Sequence, residues 1–330
     1  MKNILRLIGL TVTLVGCVAM AEAQQAGTVY RIGYLSTQSP SADPARLDGF
    51  RKALRDLGYV EGKNIVIEYR FAEGKLDRLP DLAAELVRLK VDVMVTGGTP
   101  GTRAAQQATR TIPLVMTVVG DPIEAGFVAG LAKPGGNITG LTQMSPQLSG
   151  KRLELLKEAV PKVSRVAAFV DAALMAQQLF SSLQETQMAA AALGIKLQSL
   201  EIMGPNPDLD GAFRTATSQR AGALIVLGGP ILELHRKRVV DLAAKSRLPA
   251  MYFNSQFVEA GGLMSYGPDL VDLFRRAATY VDKILKGRKP ADLPVEQPMK
   301  FEFIINLKAA KQIGVTIPPN VLVRADKVIK

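Results

Sequence analysis

Short runs of β-branched and other apolar residues alternate with longer amphipathic segments along most of the chain. The first apolar run is Val29–Leu35, and the segment 44–57 after it carries large apolar residues spaced three or four apart. That spacing puts the apolar side chains on one face of a helix, and Gly58 is a typical residue just past a helix end. The pattern therefore predicts a strand followed by a helix.

The same alternation continues through the first half of the chain. It predicts further strands at 64–70, 91–95 and 112–119, and helices at 77–89 and 101–109. Strands that alternate with helices are typical of a parallel sheet with helices on both faces. The glycine-rich stretch 135–140 is the predicted first crossing into a second domain.

A second series follows this crossing and has the same character. It predicts helices at 147–159, 174–193, 209–218 and 231–246, and strands at 165–170, 196–202, 223–227 and 248–253. Each half of the chain is thus predicted to be an α/β lobe built on a doubly wound parallel sheet.

The C-terminal tail does not resemble a third domain. It predicts a strand at 263–266, a helix at 270–285, a proline-rich crossing at 290–298, a strand at 301–305 and a short helix at 307–313. Such a tail returns to the first lobe and leaves it again, so the chain passes between the lobes three times, and these three connections allow hinge closure. The predicted N-terminal lobe is 29–140 with 267–290, and the predicted C-terminal lobe is 141–266 with 291–330.

The N-terminus has the features of a secretory signal peptide. Lys2 and Arg6 precede an apolar run at 7–20, and Ala21-Glu22-Ala23 offers small residues before a cleavage site. The run is short for a membrane-spanning helix. We favour removal of residues 1–23 and a periplasmic protein. Leu14-Val15-Gly16-Cys17 also fits a lipobox, and a lipoprotein anchored through Cys17 is the alternative.

Composition narrows the possible chemistry. The net charge is +11, but the basic residues are scattered among acidic ones without interleaved aromatics, so we expect no nucleic-acid partner. Cys17 is the only cysteine and His235 the only histidine, and His235 lies between basic neighbours on a predicted helix. We therefore expect no disulfide, no metal site, no cofactor and no catalytic histidine.

Ligands of parallel sheets bind beyond the carboxyl ends of the strands. The predicted binding residues at those ends are Ser36, Thr37, Gly98, Thr99 and Asp121 in the first lobe, and Asp171, Gly229, Asn254 and Tyr266 in the second lobe and tail.

Two of these positions have competing interpretations. Gly97–Thr102 follows a strand and opens a helix, so its N–H groups can hold an anion, but Thr99 can equally be a helix N-cap. The stretch has neither the dinucleotide fingerprint nor a P-loop. Asp121 can pair with a ligand ammonium or cap the structure that follows. No nucleophile elbow is present in the sequence, and we predict no catalytic residue.

Aromatic residues near strand ends suggest the type of ligand. Tyr34, Phe127, Tyr252, Phe253 and Tyr266 lie at such positions or near a crossing. Aromatic side chains are usually part of the core, so we expect only one or two of them in the cleft, where a ligand ring can stack.

Several stretches together resemble one known family across the whole mature chain. They are 58–64, 112–115 with Asp121-Pro122, 131–140, 261–267 and 293–298. They resemble the ABC-transporter substrate-binding family whose better-known members bind tryptophan or phenylalanine, with the type I periplasmic binding protein fold. The resemblance implies that the Ser36 loop, Gly98-Thr99 and Asp121 line the first-lobe half of the cleft. Relatives commonly carry Asn-Pro where this chain has Asp171-Ala172, which leaves the second-lobe contacts open.

These observations predict an exported, non-enzymatic solute-binding protein. It is expected to capture a small molecule, an amino acid with an apolar or aromatic side chain, and to deliver it to the permease of an ABC importer. The alternatives are an exported α/β enzyme such as a hydrolase, and a ligand sensor for a membrane receptor. DNA regulation is disfavoured, because repressors of this fold begin with a helix-turn-helix and this chain does not.

Overall fold

The computed structural model describes residues 29–41, 44–176 and 180–330. The predicted signal peptide at 1–23 and Cys17 lie outside these residues. Two sheets organise the fold, and each has helices on both faces, which confirms the predicted pair of doubly wound lobes.

The first half of the chain forms a five-stranded parallel sheet in the order β2-β1-β3-β4-β5. Its strands are β1 (Tyr30–Ser36), β2 (Ile65–Phe71), β3 (Val93–Gly97), β4 (Leu114–Val119) and β5 (Ile138–Thr142). Its helices are α1 (Pro44–Asp56), α2 (Leu79–Arg88) and α3 (Gly98–Ala108). Strands β3, β4 and β5 are almost entirely buried, as expected for parallel strands covered on both faces.

The second half forms most of a seven-stranded sheet in the order β12-β11-β10-β9-β8-β6-β7. Its elements as far as residue 268 are α4 (Ser145–Ala159), β6 (Arg165–Asp171), α5 (Ala172–Met175), α6 (Ser181–Ala192), β7 (Lys196–Ile202), α7 (Leu209–Ser218), β8 (Ala223–Val226), α8 (Pro230–Leu234), α9 (Arg236–Lys245), β9 (Ala250–Tyr252), α10 (Ser255–Glu259) and β10 (Met264–Pro268). Two helices predicted as continuous, 174–193 and 231–246, are each divided into two.

The tail contributes to both lobes. It consists of α11 (Leu270–Leu285), β11 (Phe301–Asn306), α12 (Leu307–Ile313), α13 (Pro319–Leu322) and β12 (Lys327–Ile329). Helix α11 packs on α1 in the first lobe, where Leu273, Phe274 and Val281 complete the core on that face of the sheet. Strand β11 pairs antiparallel with β10 in the second lobe, so that sheet is mixed at this edge.

Three connections join the lobes, at 143–144, 269 and 297–300. The first was predicted at the glycine-rich stretch, but Gly140 lies inside β5. Its φ is +129°, and a Cβ there would approach the carbonyl oxygen of Met116 to 2.2 Å. Glycine at this position allows β5 to pass close to an irregularity in β4. The crossing itself follows Thr142.

The third crossing also lies later than the predicted division at residue 290. Leu293 and Val295 are buried in the two first-lobe cores. The Glu296 N–H donates to the Gly140 carbonyl at 2.9 Å, and the Glu296 carbonyl accepts from the Thr142 N–H at 3.1 Å. Residues 293–296 therefore extend the first lobe before the chain leaves it.

Candidate functional site

A cavity of about 850 Å³ lies between the lobes, at the carboxyl ends of both sheets. This volume includes the open solvent at the mouth of the cavity. Six of the nine predicted binding residues lie on its wall: Thr37, Gly98, Thr99, Asp121, Asp171 and Gly229. The rule that ligands bind beyond the carboxyl ends of parallel strands therefore locates this cavity and six residues of its wall.

The N-terminal turn of α3 forms part of the first-lobe wall. Gly98 has a φ of +79°, which favours glycine, and α3 begins there directly after β3. Thr99 lies inside the first turn and is not the N-cap, which is Gly97. Among the residues that the structure describes, no side chain caps this helix end, so its N–H groups are available to an anionic group in the cavity.

Asp121 serves as a cap and also lines the cavity. Its Oδ1 accepts hydrogen bonds from the Ile123 N–H at 2.9 Å and the Glu124 N–H at 3.0 Å. These bonds hold the turn after β4 and fix the carboxylate at the cavity wall. The two interpretations of Asp121 are thus structurally compatible.

Asp171 forms part of the second-lobe wall and is fully buried. Its Oδ1 accepts from the Ala173 N–H at 2.8 Å and its Oδ2 accepts from the Ile231 N–H at 2.7 Å, which connects the starts of α5 and α8. Burial raises the pKa of the Asp171 carboxyl to about 6, although these backbone N–H groups act in the opposite direction.

Gly229 fits against this carboxylate. Its φ is +119°, and a Cβ there would approach the Asp171 Cβ to 2.2 Å. A side chain at residue 229 would displace Asp171, so the two residues shape the second-lobe wall together.

The rest of the wall is largely apolar. Its apolar side chains include Leu174 and Met175 of α5, Leu183 of α6, Phe253 just after β9, and Pro146 at the start of α4. Phe253 is one of the aromatic residues expected in the cleft. Tyr252 is in the core, and Phe127 packs beneath the Arg103 guanidinium at 4.6 Å. An apolar wall with a few polar groups suits a ligand with an apolar part.

Two side-chain contacts connect the lobes beside the cavity. The Arg46 guanidinium in α1 donates to the Glu233 carboxylate in α8 at 2.6 Å and to the Gln256 amide oxygen in α10 at 3.0 Å. Arg46 and Glu233 are buried. Because these groups come from different lobes, the lobes are in contact in this structure.

The second contact involves Glu124 of the first lobe. Its carboxylate accepts from the Phe180 N–H and the Ser181 N–H, each at 3.0 Å, and from the Ser181 hydroxyl at 2.5 Å. Glu124 therefore caps α6 of the opposite lobe. Glu124 and Glu233 line the cavity and were missed from the sequence, because their partners lie far away in the chain.

Ser36, Asn254 and Tyr266 do not line this cavity. Ser36 lines a smaller chamber that adjoins it. Asn254 is the N-cap of α10, where its Oδ1 accepts from the Gln256 N–H at 3.1 Å. The strand β10 extends two residues beyond Tyr266, so Tyr266 lies in the middle of the strand and not at its end. Its ring packs against Phe301 and Phe303.

The remaining chemical features lie elsewhere. His235 separates α8 from α9, and its Nε2 lies 2.8 Å from the Pro205 carbonyl oxygen, outside the cavity. Among residues 29–41, 44–176 and 180–330, no group of three or more His, Cys, Asp or Glu side chains is arranged to hold a metal ion. Within the same residues no helix is both long and apolar enough to cross a membrane.

Two α/β lobes, three connections and a cavity at the facing strand ends define a binding protein with the type I periplasmic fold. The sequence matches the family described as ABC transporter substrate binding protein over residues 36–329. The chain belongs to this family, which implies an extracytoplasmic location and a small-molecule ligand.

Individual relatives agree with this assignment. A tyrosine-binding protein of Clostridioides difficile (strain R20291) is 31% identical over 280 residues, which are 84% of this chain and 78% of the relative. The ABC domain from Streptococcus pneumoniae in complex with L-Trp is 27% identical, with a TM-score of 0.84 over 92% of this chain and 100% of that one.

A third relative differs in conformation. The ligand-free, open structure of a Clostridium difficile substrate-binding protein with adhesive properties is also 27% identical, covering 92% of this chain and 99% of that one, but its TM-score is 0.66. At equal identity, this chain superposes better on the L-Trp complex. That agrees with the contacts between its lobes across the cavity.

Proposed function

We propose that this protein captures an amino acid with an apolar or aromatic side chain and delivers it to the permease of an ABC importer, without chemical change. The observation that carries the proposal is that one largely apolar cavity contains both a part that suits a negative group and a part that suits a positive group. The uncapped start of α3 suits a carboxylate, and Asp121 suits an ammonium group. The relatives that bind tyrosine and L-Trp support the same ligand class.

The proposal extends to the location of the protein. The mature chain is released into the periplasm after cleavage behind Ala23, with lipidation of Cys17 as the alternative route to the same compartment. Its contact with the membrane is then through the permease, unless Cys17 carries lipid.

The ligand is tested by calorimetric titration of the mature protein with the L-amino acids, and with purines and small organic acids as controls. We expect at least one apolar or aromatic amino acid to bind and to raise the melting temperature, because it binds only the folded state. Binding confined to purines or organic acids, or to none of the panel, contradicts the proposal.

Asp121 is tested with two matched variants. Asp121→Asn retains the oxygen that accepts the Ile123 and Glu124 N–H bonds but loses the charge. Loss of one partner of a buried charge pair costs about 2–5 kcal/mol, so we expect affinity for the amino acid to fall about thirtyfold or more. Asp121→Ala also loses the cap and about 1 kcal/mol of unfolding free energy. Unchanged affinity of Asp121→Asn contradicts the role in ammonium binding.

A further inference from the structure

A second chamber of about 480 Å³ adjoins the main cavity. The two share Thr37, Gly98, Val118 and Glu233 as wall residues, so they are neighbouring parts of one cleft. The second chamber lies at the end of β1 and β2, on the far side of β3 from Asp121.

Aromatic rings form one side of this chamber. Tyr34, Phe71 and Phe274 lie on its wall, and the Tyr34 ring centroid is 6.1 Å from that of Phe71 and 6.3 Å from that of Phe274. The rings are tilted to one another, and aromatic rings favour such offset or edge contacts with a further ring. A planar apolar group therefore fits this part of the cleft.

Other parts of this wall are polar and include the Arg46–Glu233 ion pair and Gln38. The Gln38 side chain is 5% exposed, yet neither its Oε1 nor its Nε2 has a hydrogen-bond partner among the described residues. The Gln38 N–H donates to the Ser36 hydroxyl at 3.1 Å, which holds the loop after β1. Buried polar groups are rarely left without a partner, so the unpaired carboxamide of Gln38, a residue of the chamber wall, can take a partner supplied by the ligand.

The spacing of the two strands that lead to Gln38 and Asp121 fits this interpretation. The strands that precede them, β1 and β4, are separated by β3 alone, which places the two strand ends about 10 Å apart at ordinary strand spacing. That separation is comparable with the length of an aromatic amino acid from its ammonium group to the far edge of its ring. A ligand of this length spans the two strand ends from which the Gln38 and Asp121 loops begin.

We propose that this chamber holds the ring of the ligand and that Gln38 selects a ring whose tip carries a hydroxyl group. A phenol both donates and accepts a hydrogen bond, and the carboxamide of Gln38 offers one acceptor and one donor in return. An indole N–H satisfies the Oε1 alone, and an unsubstituted phenyl ring satisfies neither atom. The proposed ligand is thus a phenolic amino acid. This inference rests on the proposed amino-acid ligand.

Calorimetric titration with L-tyrosine and L-phenylalanine tests the inference. We expect the wild type to bind tyrosine at least tenfold more tightly, because sites built to hydrogen-bond a ligand group reject the analogue that lacks it. Gln38→Leu keeps the volume approximately and removes both polar atoms. It should lose the preference by weakening tyrosine binding at least tenfold, with phenylalanine binding unchanged or improved.

Gln256→Leu is the matched control. Gln256 contacts Arg46 between the lobes and lies outside both chambers, so its loss should weaken both ligands by the same factor and leave their ratio unchanged. If Gln38→Leu does not fold, 4-fluoro- and 4-amino-phenylalanine on the wild type provide the same comparison. The inference then requires binding in the order tyrosine, 4-amino, 4-fluoro.

The two failures are distinguishable. If the wild type binds no amino acid, the proposed function is wrong. If it binds amino acids but Gln38→Leu leaves the ratio of tyrosine to phenylalanine affinity unchanged, or the wild type does not distinguish the two, the function stands and the role of Gln38 is wrong.

Discussion

Glu124 of the first lobe caps α6 of the second lobe, and we expect its removal to weaken ligand binding by favouring separation of the lobes. In Glu124→Ala the Phe180 and Ser181 N–H groups and the Ser181 hydroxyl lose their shared acceptor. When the lobes are apart, Glu124 is solvated and the substitution changes little. The substitution therefore destabilises only the conformation in which the lobes are in contact.

The expected size follows from the contacts. Loss of a helix cap costs about 0.5–2 kcal/mol, and loss of a negative charge at a helix N-terminus about 0.3–1 kcal/mol. The contact is partly open to solvent, which reduces its strength. We expect about 1–2 kcal/mol, or a five- to thirtyfold weaker affinity at about 1.4 kcal/mol per decade.

Stopped-flow binding and calorimetry measure this effect. The dissociation rate should rise by the same factor as Kd, with little change in the association rate, since ligand enters while the lobes are apart. Glu85→Ala is the matched control, because Glu85 pairs with Arg70 inside the first lobe at 2.6 Å. Its affinity for ligand should equal that of the wild type.

A double-mutant cycle separates the capping role from a direct contact with ligand. Ser181→Ala removes the hydroxyl that donates to Glu124. If Glu124 acts through α6, the effects of Glu124→Ala and Ser181→Ala on binding are not additive, with a coupling of about 0.5–1.5 kcal/mol. Additive effects, or no effect of Ser181→Ala alone, would refute the capping argument.

Two further predictions follow from the buried carboxylate and from the N-terminus. The pKa of Asp171 is about 6 in the folded protein and 3.8, its ordinary value, in the unfolded chain. The folded protein therefore holds this proton more tightly, and the free energy of unfolding falls as pH rises between these two values. Urea melts of Asp171→Asn from pH 4 to 7 should show a decrease in the free energy of unfolding that is smaller than the wild type's by about 3 kcal/mol, at about 1.4 kcal/mol per pKa unit. The same dependence on pH in both proteins contradicts the shifted pKa. Intact mass of the exported protein should correspond to a chain beginning at Gln24; a lipid-modified Cys17 would contradict release, and an uncleaved chain would contradict export.

The sequence predicts the binding cleft well where local pattern determines position. Thr37, Gly98, Asp121 and Asp171 lie at the end of a parallel strand or within two residues after it. Strand ends meet at one edge of a sheet whatever the details of packing. Asn254 follows a strand too, but the α10 helix that begins next to it uses its side chain as a cap.

Contacts between the lobes have no such local signal. Glu124 and Ser181, or Arg46 and Glu233, meet only because of the relative placement of two sheets, and nothing in their neighbouring sequence indicates a partner. The same holds for the limits of the lobes. Leu293 and Val295 are in a proline-rich segment typical of a linker, yet both fill first-lobe cores that are formed mostly by residues before 142.

The return of α11 to the first lobe also sets the order in which the molecule can fold. Tyr34, Phe50 and Val95 form one apolar cluster with Phe274 and Ala277 of α11, which is synthesised after nearly all of the second lobe. A nascent chain that ends before residue 270 carries an uncovered apolar sheet face, and contacts between such distant segments form slowly. The N-terminal half therefore stays incompletely packed until the C-terminal segment is present, and the two lobes mature together rather than one after the other.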